Sequence, residues 1–297
     1  MQDKKINILL IGSEKDKTYK HTKGRLDLKK IKYDEIDLDE YYYSDISYHD
    51  LSKHIIITST GKKINFNSFS SIYHRIILDE QLFGELSIKL YDKYQLLILF
   101  LNNLKSLDVK VINYPSFFDV NSSKIHQTIE LNKYFKVPKT LCTNSKNLAL
   151  KFISSQSETI YKSCSSIRSI VNTYDNQVLD NLKSAPCLFQ ERIVGFDVRV
   201  HVIFDDFFCE KIISEKVDYR YSTNNFHEKI DVPVKIKKKI LRYMAENDLE
   251  FVGADFKVSY NSWYLLEINT MPGYSGYDER TNYQISEKLI SLLNPLT

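Results

Sequence analysis

The chain of 297 residues carries 41 Lys and Arg against 38 Asp and Glu, a net charge of only +3, with 43% hydrophobic and 27% charged residues. That length supports two or three lobes with real cores, and the composition excludes disorder as the default state. The charge makes no case for a nucleic-acid partner, since one basic patch facing an anionic substrate accounts for it.

The opening residues, MQDKKINILLIGSEKD, pass directly from charge into an apolar run of strand length. The run is too short for a secretory signal, and no small-residue cleavage site follows. The longest apolar stretch, Leu96 to Leu101, is too short to span a bilayer, so no membrane partner is expected. Cys142, Cys164, Cys187 and Cys209 are dispersed without a CxxC pair, which predicts reduced thiols in a cytoplasmic protein rather than metal ligands.

Apolar runs predict strands over 6–12, 54–60, 71–77 and 109–113, with a helical pattern over 80–106 and a Pro/Asn/Ser-rich loop over 113–123. Strands alternating with helices define an α/β lobe over 1–115. A helix over 124–135 ends before Pro138, another over 145–155 starts at Ser145, and strands follow over 159–164 and 169–174. This α-then-β segment, 116–185, is read as a small central lobe. From Pro186 the character turns β-rich, with strands over 187–193, 197–204 and 207–214. An amphipathic helix over 233–247 carries Lys235, Lys237, Lys238 and Lys239 on a solvated face. A hairpin of 251–259 with 263–269 and a helix over 280–293 complete a third lobe, 186–297.

The hairpin holds the densest chemistry. Glu267 and Asn269 lie two apart on one strand and share a face. Whether Asp255 joins them depends on the turn. A two-residue Asn261-Ser262 turn sets Asp255 opposite Ile268, on the wrong face. A three-residue loop, Tyr260-Asn261-Ser262, pairs Ser259 with Trp263 and sets Asp255 opposite Glu267. Adjacent carboxylates repel, and a solvated surface ladder is the plain alternative. The intervening Phe256, Val258, Leu265, Leu266 and Ile268 argue instead for covered faces and a cation, and hard oxygen ligands suit Mg²⁺.

Asp255, then Glu267-Ile268-Asn269, then Thr270-Met271-Pro272-Gly273 resembles the carboxy-terminal metal motif of the ATP-grasp ligases, in which D…E-x-N hold the ions of Mg-ATP. The continuation GYSGYDERTNYQIS (273–286) is similar to that of the RimK-like branch, which ligates glutamate to ribosomal protein. The resemblance covers 110–297. It implies an α/β chain of α+β lobes: an ATP-grasp fold with an N-terminal pre-ATP-grasp lobe, a small central lobe and a C-terminal β-rich lobe, with ATP and Mg²⁺ as cofactors.

Site roles follow from the same resemblance. Lys124 and Lys162 are expected on ATP phosphates, where a point charge suits the task. LFQERIVG (188–195) resembles the strand that meets adenine, which assigns Gln190, Glu191, Arg192 and Ile193 to the nucleotide. Asp197 and Arg199 are similar to the following D-x-R, with Asp197 near the nucleotide and Arg199 at the transferring phosphate. VDYRYSTNN (217–225) resembles the D-[FW]-R segment, placing Arg220 at phosphate or acyl-phosphate and Ser222 and Asn224 at the nucleotide end. The loop SCSSIRSI (163–170) departs from the family, because it lacks the glycines that usually cover the phosphates; Ser165, Ser166 and Arg168 are its remaining donors.

Tyr73 and Arg75 in IYHRI are reminiscent of a [WY]-x-R strand in the graspetide synthetases, the ATP-grasp maturases that make ester or amide cross-links in ribosomally made peptides. VDYR is similar to their D-W-R. The resemblance therefore implies an ADP-forming carboxylate–amine or carboxylate–hydroxyl ligase acting on peptide Asp or Glu. The alternatives are a RimK-like enzyme adding amino acids to a protein, a ligase of small molecules, and a non-catalytic nucleotide-binding module. The sequence permits a homodimer.

Overall fold

The first strand, β1 (Ile8–Gly12), is buried at all five positions. A strand covered on both faces belongs inside a sheet flanked by helices. The computed structural model describes residues 7–44, 46–50, 52–58, 61–77, 88–107, 109–115, 124–164, 172–173, 179, 182, 185–215, 219 and 224–294. After β1 come α1 (Lys17–Leu28), β2 (Tyr33–Asp37), α2 (Leu38–Tyr43), β3 (Ile46–Asp50), β4 (Ile55–Thr58), β5 (Lys63–Asn65), β6 (Ser71–His74), α3 (Ile88–Asn103) and β7 (Lys110–Ile112). Strands β2, β1, β6 and β7 form a parallel sheet in that order. Strands β3, β4 and β5 form an antiparallel one.

Leu9, Ile11, Ile72 and Val111 from the parallel sheet pack with Leu97, Leu101 and Leu104 into one core. Several elements escape the sequence pattern, among them β2, α1 and α2. Strand β2 reads YDEID and buries only Ile36, as an edge strand does. Helix α1 reads KTYKHTKGRLDL and declares itself by its cap, since the Asp16 side chain accepts from the Tyr19 amide. Helix α2 is capped likewise by Asp37. The predicted helix over 80–106 is observed from Ile88, and its first residues lie outside the described part.

Both residues of the IYHRI motif are buried. Tyr73 is a core side chain. Arg75 grips Asp16 through Nε at 3.1 Å and Nη2 at 2.8 Å, and donates through Nη1 to the Met271 carbonyl at 2.5 Å. Asp16 thus caps α1 and neutralises a buried guanidinium at once.

The later elements are α4 (Lys124–Leu131), β8 (Thr140–Thr143), α5 (Lys146–Ser154), β9 (Thr159–Ser163), β10 (Asn172–Thr173), β11 (Cys187–Glu191), β12 (Phe196–Ile203), β13 (Asp206–Ile213), β14 (Phe226–Lys229), α6 (Val234–Glu246), β15 (Phe251–Ser259), β16 (Ser262–Asn269), α7 (Ser275–Asp278) and α8 (Gln284–Leu293). Two sheets result, in the orders β10-β9-β11-β8 and β14-β13-β12-β15-β16. Strand β8 follows Pro138, which the sequence marks only as the end of the preceding helix. Lys235, Lys238 and Lys239 on α6 are exposed, whereas Lys237 lies over the Phe207 ring.

The chain divides into two compact units. One holds Met1–Phe117, Asp248–Phe251 and Met271–Thr297; the other holds Phe118–Asn247 and Val252–Thr270. The segment 116–185 and the long strands after Pro186 therefore fall in the same unit, and α7 and α8 fall with the N-terminal sheet. Among the described residues, no helix is long and apolar enough to cross a membrane.

Strand β12 starts at a close backbone approach. A Cβ on Gly195 would stand 2.0 Å from the Val258 carbonyl oxygen of β15, a contact no side chain can make. Gly195→Ala is therefore expected to cost about 1–3 kcal/mol, the scale of overpacking at a rigid neighbour. Urea unfolding followed by circular dichroism measures it, and an unchanged midpoint would contradict the contact.

Candidate functional site

The site is built on β15 and β16. Their hairpin closes neither as a two-residue Asn261-Ser262 turn nor as a three-residue loop. Ser259 pairs with Ser262, so the turn is Tyr260-Asn261. Both residues have positive φ, 45° and 64°, as a tight turn matching the strand twist requires. Continued without interruption, this register would set Asp255 opposite Leu266. A shift between Asp255 and Phe256 leaves Leu266 as an extra residue and pairs Asp255 with Glu267. The expected juxtaposition is present; a bulge produces it rather than the length of the turn.

Three oxygen-bearing side chains meet there. The Asn269 amide donates to Glu267 Oε1 at 3.2 Å and to Asp255 Oδ2 at 3.5 Å. Arg199 Nη1 on β12 donates to Asp255 Oδ2 at 2.6 Å, and the Tyr219 hydroxyl donates to Asp255 Oδ1 at 3.3 Å. Burial pushes the Asp255 carboxyl up to about 6; Arg199 opposes the rise and the neighbouring Glu267 charge adds to it. A divalent cation there would favour the charged carboxylate and oppose the rise. Two carboxylates and a carboxamide form a hard-oxygen set of the kind Mg²⁺ takes, and a rotation of the Asn269 amide presents its oxygen in place of its nitrogen. The residues present fit that ion.

Asp197 and Arg199 are not each other's partners. Asp197 accepts from Lys257 Nζ at 2.9 Å, while Arg199 serves Asp255. Asp197 and Arg199 on β12 thus face Lys257 and Asp255 on β15 as two ion pairs of opposite polarity. The alternation ADFKV carries Lys257 two residues after Asp255, so its place on this face was readable. His201, two further along β12, is buried and its Nε2 accepts from Arg199 Nε at 3.3 Å. Glu210 pairs with Arg199 across the ladder and receives His227 Nδ1 at 2.9 Å. Glu210 and His227 carry no signal in the sequence beyond their strand periodicity.

The second group lies on the sheet of β8, β9 and β11. Lys162 Nζ donates to Gln190 Oε1 at 3.3 Å, and Gln190 Nε2 donates to Thr140 Oγ1 at 2.9 Å. The structure therefore joins Lys162 to Gln190. Glu191 turns the other way, its carboxylate accepting from the Lys139 amide at 3.3 Å. Arg192 is ion-paired with Glu158, and Ile193 is half-buried just beyond the strand. Lys124 is the first residue of α4, half-buried, and its charge acts on the Cys164 thiol beyond β9. The helix it begins is tied to β16 by Gln127, whose Nε2 donates to the Ile268 carbonyl at 2.9 Å. Asn224 is exposed, and Arg220, Ser222, Ser165, Ser166 and Arg168 lie outside the described residues.

No protein-family model and no curated protein matches the chain. Solved structures do. The ATP-grasp ligase PsnB complexed with a minimal precursor superposes with a TM-score of 0.81 at 22% identity, covering 98% of this chain and 99% of PsnB. A RiPP-associated ATP-grasp ligase from Chryseobacterium gregarium, in complex with ADP and a leader and core peptide, gives 0.76 at 20% identity over 98% of this chain and 97% of its own. The macrocyclase MdnC from Microcystis aeruginosa, bound with precursor peptide MdnA, gives 0.77 at 18% identity over 97% and 99%. The chain has the ATP-grasp fold, over its whole length.

Glu267→Gln tests the like-charge contact. Losing an ordinary buried polar contact lowers stability, but here it removes a repulsion against Asp255. In metal-free buffer with EDTA the variant is expected to melt at or above the wild-type temperature. A fall beyond about 2 °C, roughly 1 kcal/mol for a chain of this size, would mean the carboxylate stabilises the fold without a cation.

Proposed function

We propose that the chain is a Mg-ATP-dependent, ADP-forming ligase that activates a carboxylate and joins it to a hydroxyl or amine. Its proposed substrate is a peptide whose Asp or Glu side chains become ester- or amide-linked. The observation that carries this reading is the Asp255, Glu267 and Asn269 oxygen set with Arg199 against it, on an ATP-grasp sheet. Such a set is costly for stability and useful to a metal-bound polyphosphate. The peptide substrate draws support from the precursors bound to PsnB, the Chryseobacterium gregarium ligase and MdnC.

In this reading Asp255, Glu267 and Asn269 hold Mg²⁺, which supplies charge neutralisation for ATP when bound. Lys124 and Lys162 hold phosphate oxygens, with the Gln190 carboxamide orienting Lys162. Gln190 and Glu191 at the end of β11, with Arg192 and Ile193 just beyond it, are assigned to the base, and Asp197, Ser222 and Asn224 to the rest of the nucleotide. Arg199 and Arg220 spread the charge of the transferring phosphoryl group as the substrate carboxylate attacks it. A hydroxyl or amine then displaces phosphate from the acyl-phosphate. Water would intercept that species, so the segments 1–115, 116–185 and 186–297 act as three lobes, the central one excluding solvent. A reducing, cytoplasmic setting suits four free thiols.

The test incubates the protein with Mg-ATP and peptides that combine Asp or Glu with Thr, Ser or Lys. ADP release with loss of one water from the peptide mass is expected. Lys162→Met should lower the rate by about 100-fold or more, the scale of one lost charge-stabilising donor. ADP formation with free amino acids but no acidic peptide would move the assignment to a small-molecule ligase. A gain of one residue's mass would make it a chain-extending enzyme.

A further inference from the structure

Three of the four cysteines belong to the sheet of β8, β9 and β11, and register decides the face of each. Leu188 on β11 pairs with Cys142 on β8 and with Lys162 on β9. Cross-strand partners project from one face, so Cys142 shares its face with Lys162 and, two residues along, with Thr140 and Gln190. Cys164 lies two residues beyond Lys162 and returns to that face. Cys187, paired with Thr143 and Ser163, projects from the other one, where it packs against a cluster containing Ala149 and Phe189. On the first face the Cys142 and Cys164 sulfurs stand 3.3 Å apart. Both residues are partly exposed, so a small reagent reaches them.

We propose that Cys142 and Cys164 are a site of reversible disulfide formation by a low-molecular-weight disulfide, and that this bond weakens Mg-nucleotide binding on the Lys162 face. The second half rests on the nucleotide-binding reading above; the first stands on geometry alone. One cysteine thiolate attacks the reagent's disulfide and expels a thiolate, leaving a mixed disulfide. The second cysteine attacks the protein sulfur of that bond and expels the other thiolate. The two cysteines lose two protons and two electrons, and the reagent becomes two thiols.

Closing the bond draws the sulfurs from 3.3 Å to about 2.0 Å. Strands β8 and β9 both flank β11 rather than each other, and a disulfide joins Cα atoms about 4.4–6.8 Å apart, so the chain takes up the closure. Cys164 stands one residue past the end of β9, outside the ladder, so it is the end that gives. Drawing it over β11 displaces Lys162, two residues back, and with it the 3.3 Å contact to Gln190. The reaction is slow. Burial pushes the Cys164 thiol up to about 12, its hydrogen bond with Cys142 adds to the rise, and Lys124 opposes it. Little thiolate is present at neutral pH, which fits minutes to hours rather than seconds.

The full chain is treated with excess oxidised glutathione, its remaining thiols are alkylated, and it is mapped by non-reducing peptide mass spectrometry. Mg-ADP affinity is measured by calorimetry before oxidation, after it, and after dithiothreitol. A Cys142–Cys164 linked peptide two hydrogens lighter than the sum of its parts is expected. Affinity should fall about tenfold, the scale of one charge-assisted hydrogen bond, and return on reduction. Cys187→Ser should behave as wild type, and Cys142→Ser should yield no cross-link and no fall beyond about twofold, small against that hydrogen bond. Linkage through Cys187 or Cys209, or none at all, overturns the site. A Cys142–Cys164 bond with unchanged affinity overturns its connection to the nucleotide. If the reduced protein binds no Mg-ADP, the nucleotide reading and the second half of the proposal fall together, while the mapped bond still decides the first.

Discussion

Everything on the five-stranded sheet is arranged around a repulsion. Asp255 and Glu267 are held opposite each other in an interior where like charges are expensive. Arg199 reaches from the next strand to offset it, at 2.6 Å from the Asp255 carboxylate. The offset is incomplete, since burial and Glu267 together outweigh Arg199 and Asp255 is left above its ordinary range. A fold seeking stability would replace such a group by apolar side chains of similar volume, commonly at no cost or with a gain. The pairing of the carboxylates therefore supports the proposal that they hold a cation.

The supporting charges follow from that demand. Arg199 engaged with Asp255 leaves Asp197 to find another cation, and Lys257 supplies it. Because Asp197 and Arg199 alternate on β12 and Lys257 and Asp255 alternate on β15, the two pairs interlock only in one register. A one-residue slip of either strand would turn its two side chains to the opposite face. The ion pairs thus specify alignment as well as charge, and Gly195 allows the backbones to approach closely enough for them to form.

Much of this was legible in the sequence because strands convert spacing into geometry. Glu267 and Asn269 share a face by period two, whereas the contact of Lys162 with Gln190 had no spacing in the sequence to announce it. The turn was not legible. Tyr260 is a poor candidate for a left-handed conformation, and a bulge at Leu266 carries no residue signature in a run without glycine. Strand β2 was missed because an edge strand buries one face only, and YDEID has a single apolar residue to show for it. Arg75 was ambiguous because its partner Asp16 is 59 residues away and announces itself only as a helix cap.

The same logic extends across the sheet. His227, Glu210, Arg199, Asp255 and Glu267 come from five adjacent strands, and neighbours in that series are joined by ladder pairing or side-chain contact. Glu210 and Asp255 flank Arg199 in the row, and beyond Asp255 a second carboxylate, Glu267, stands directly across the ladder. A row serving only to neutralise buried charge has no use for that like-charge pair. The pair falls beside Asn269, which supports the proposal that this end of the sheet holds a cation.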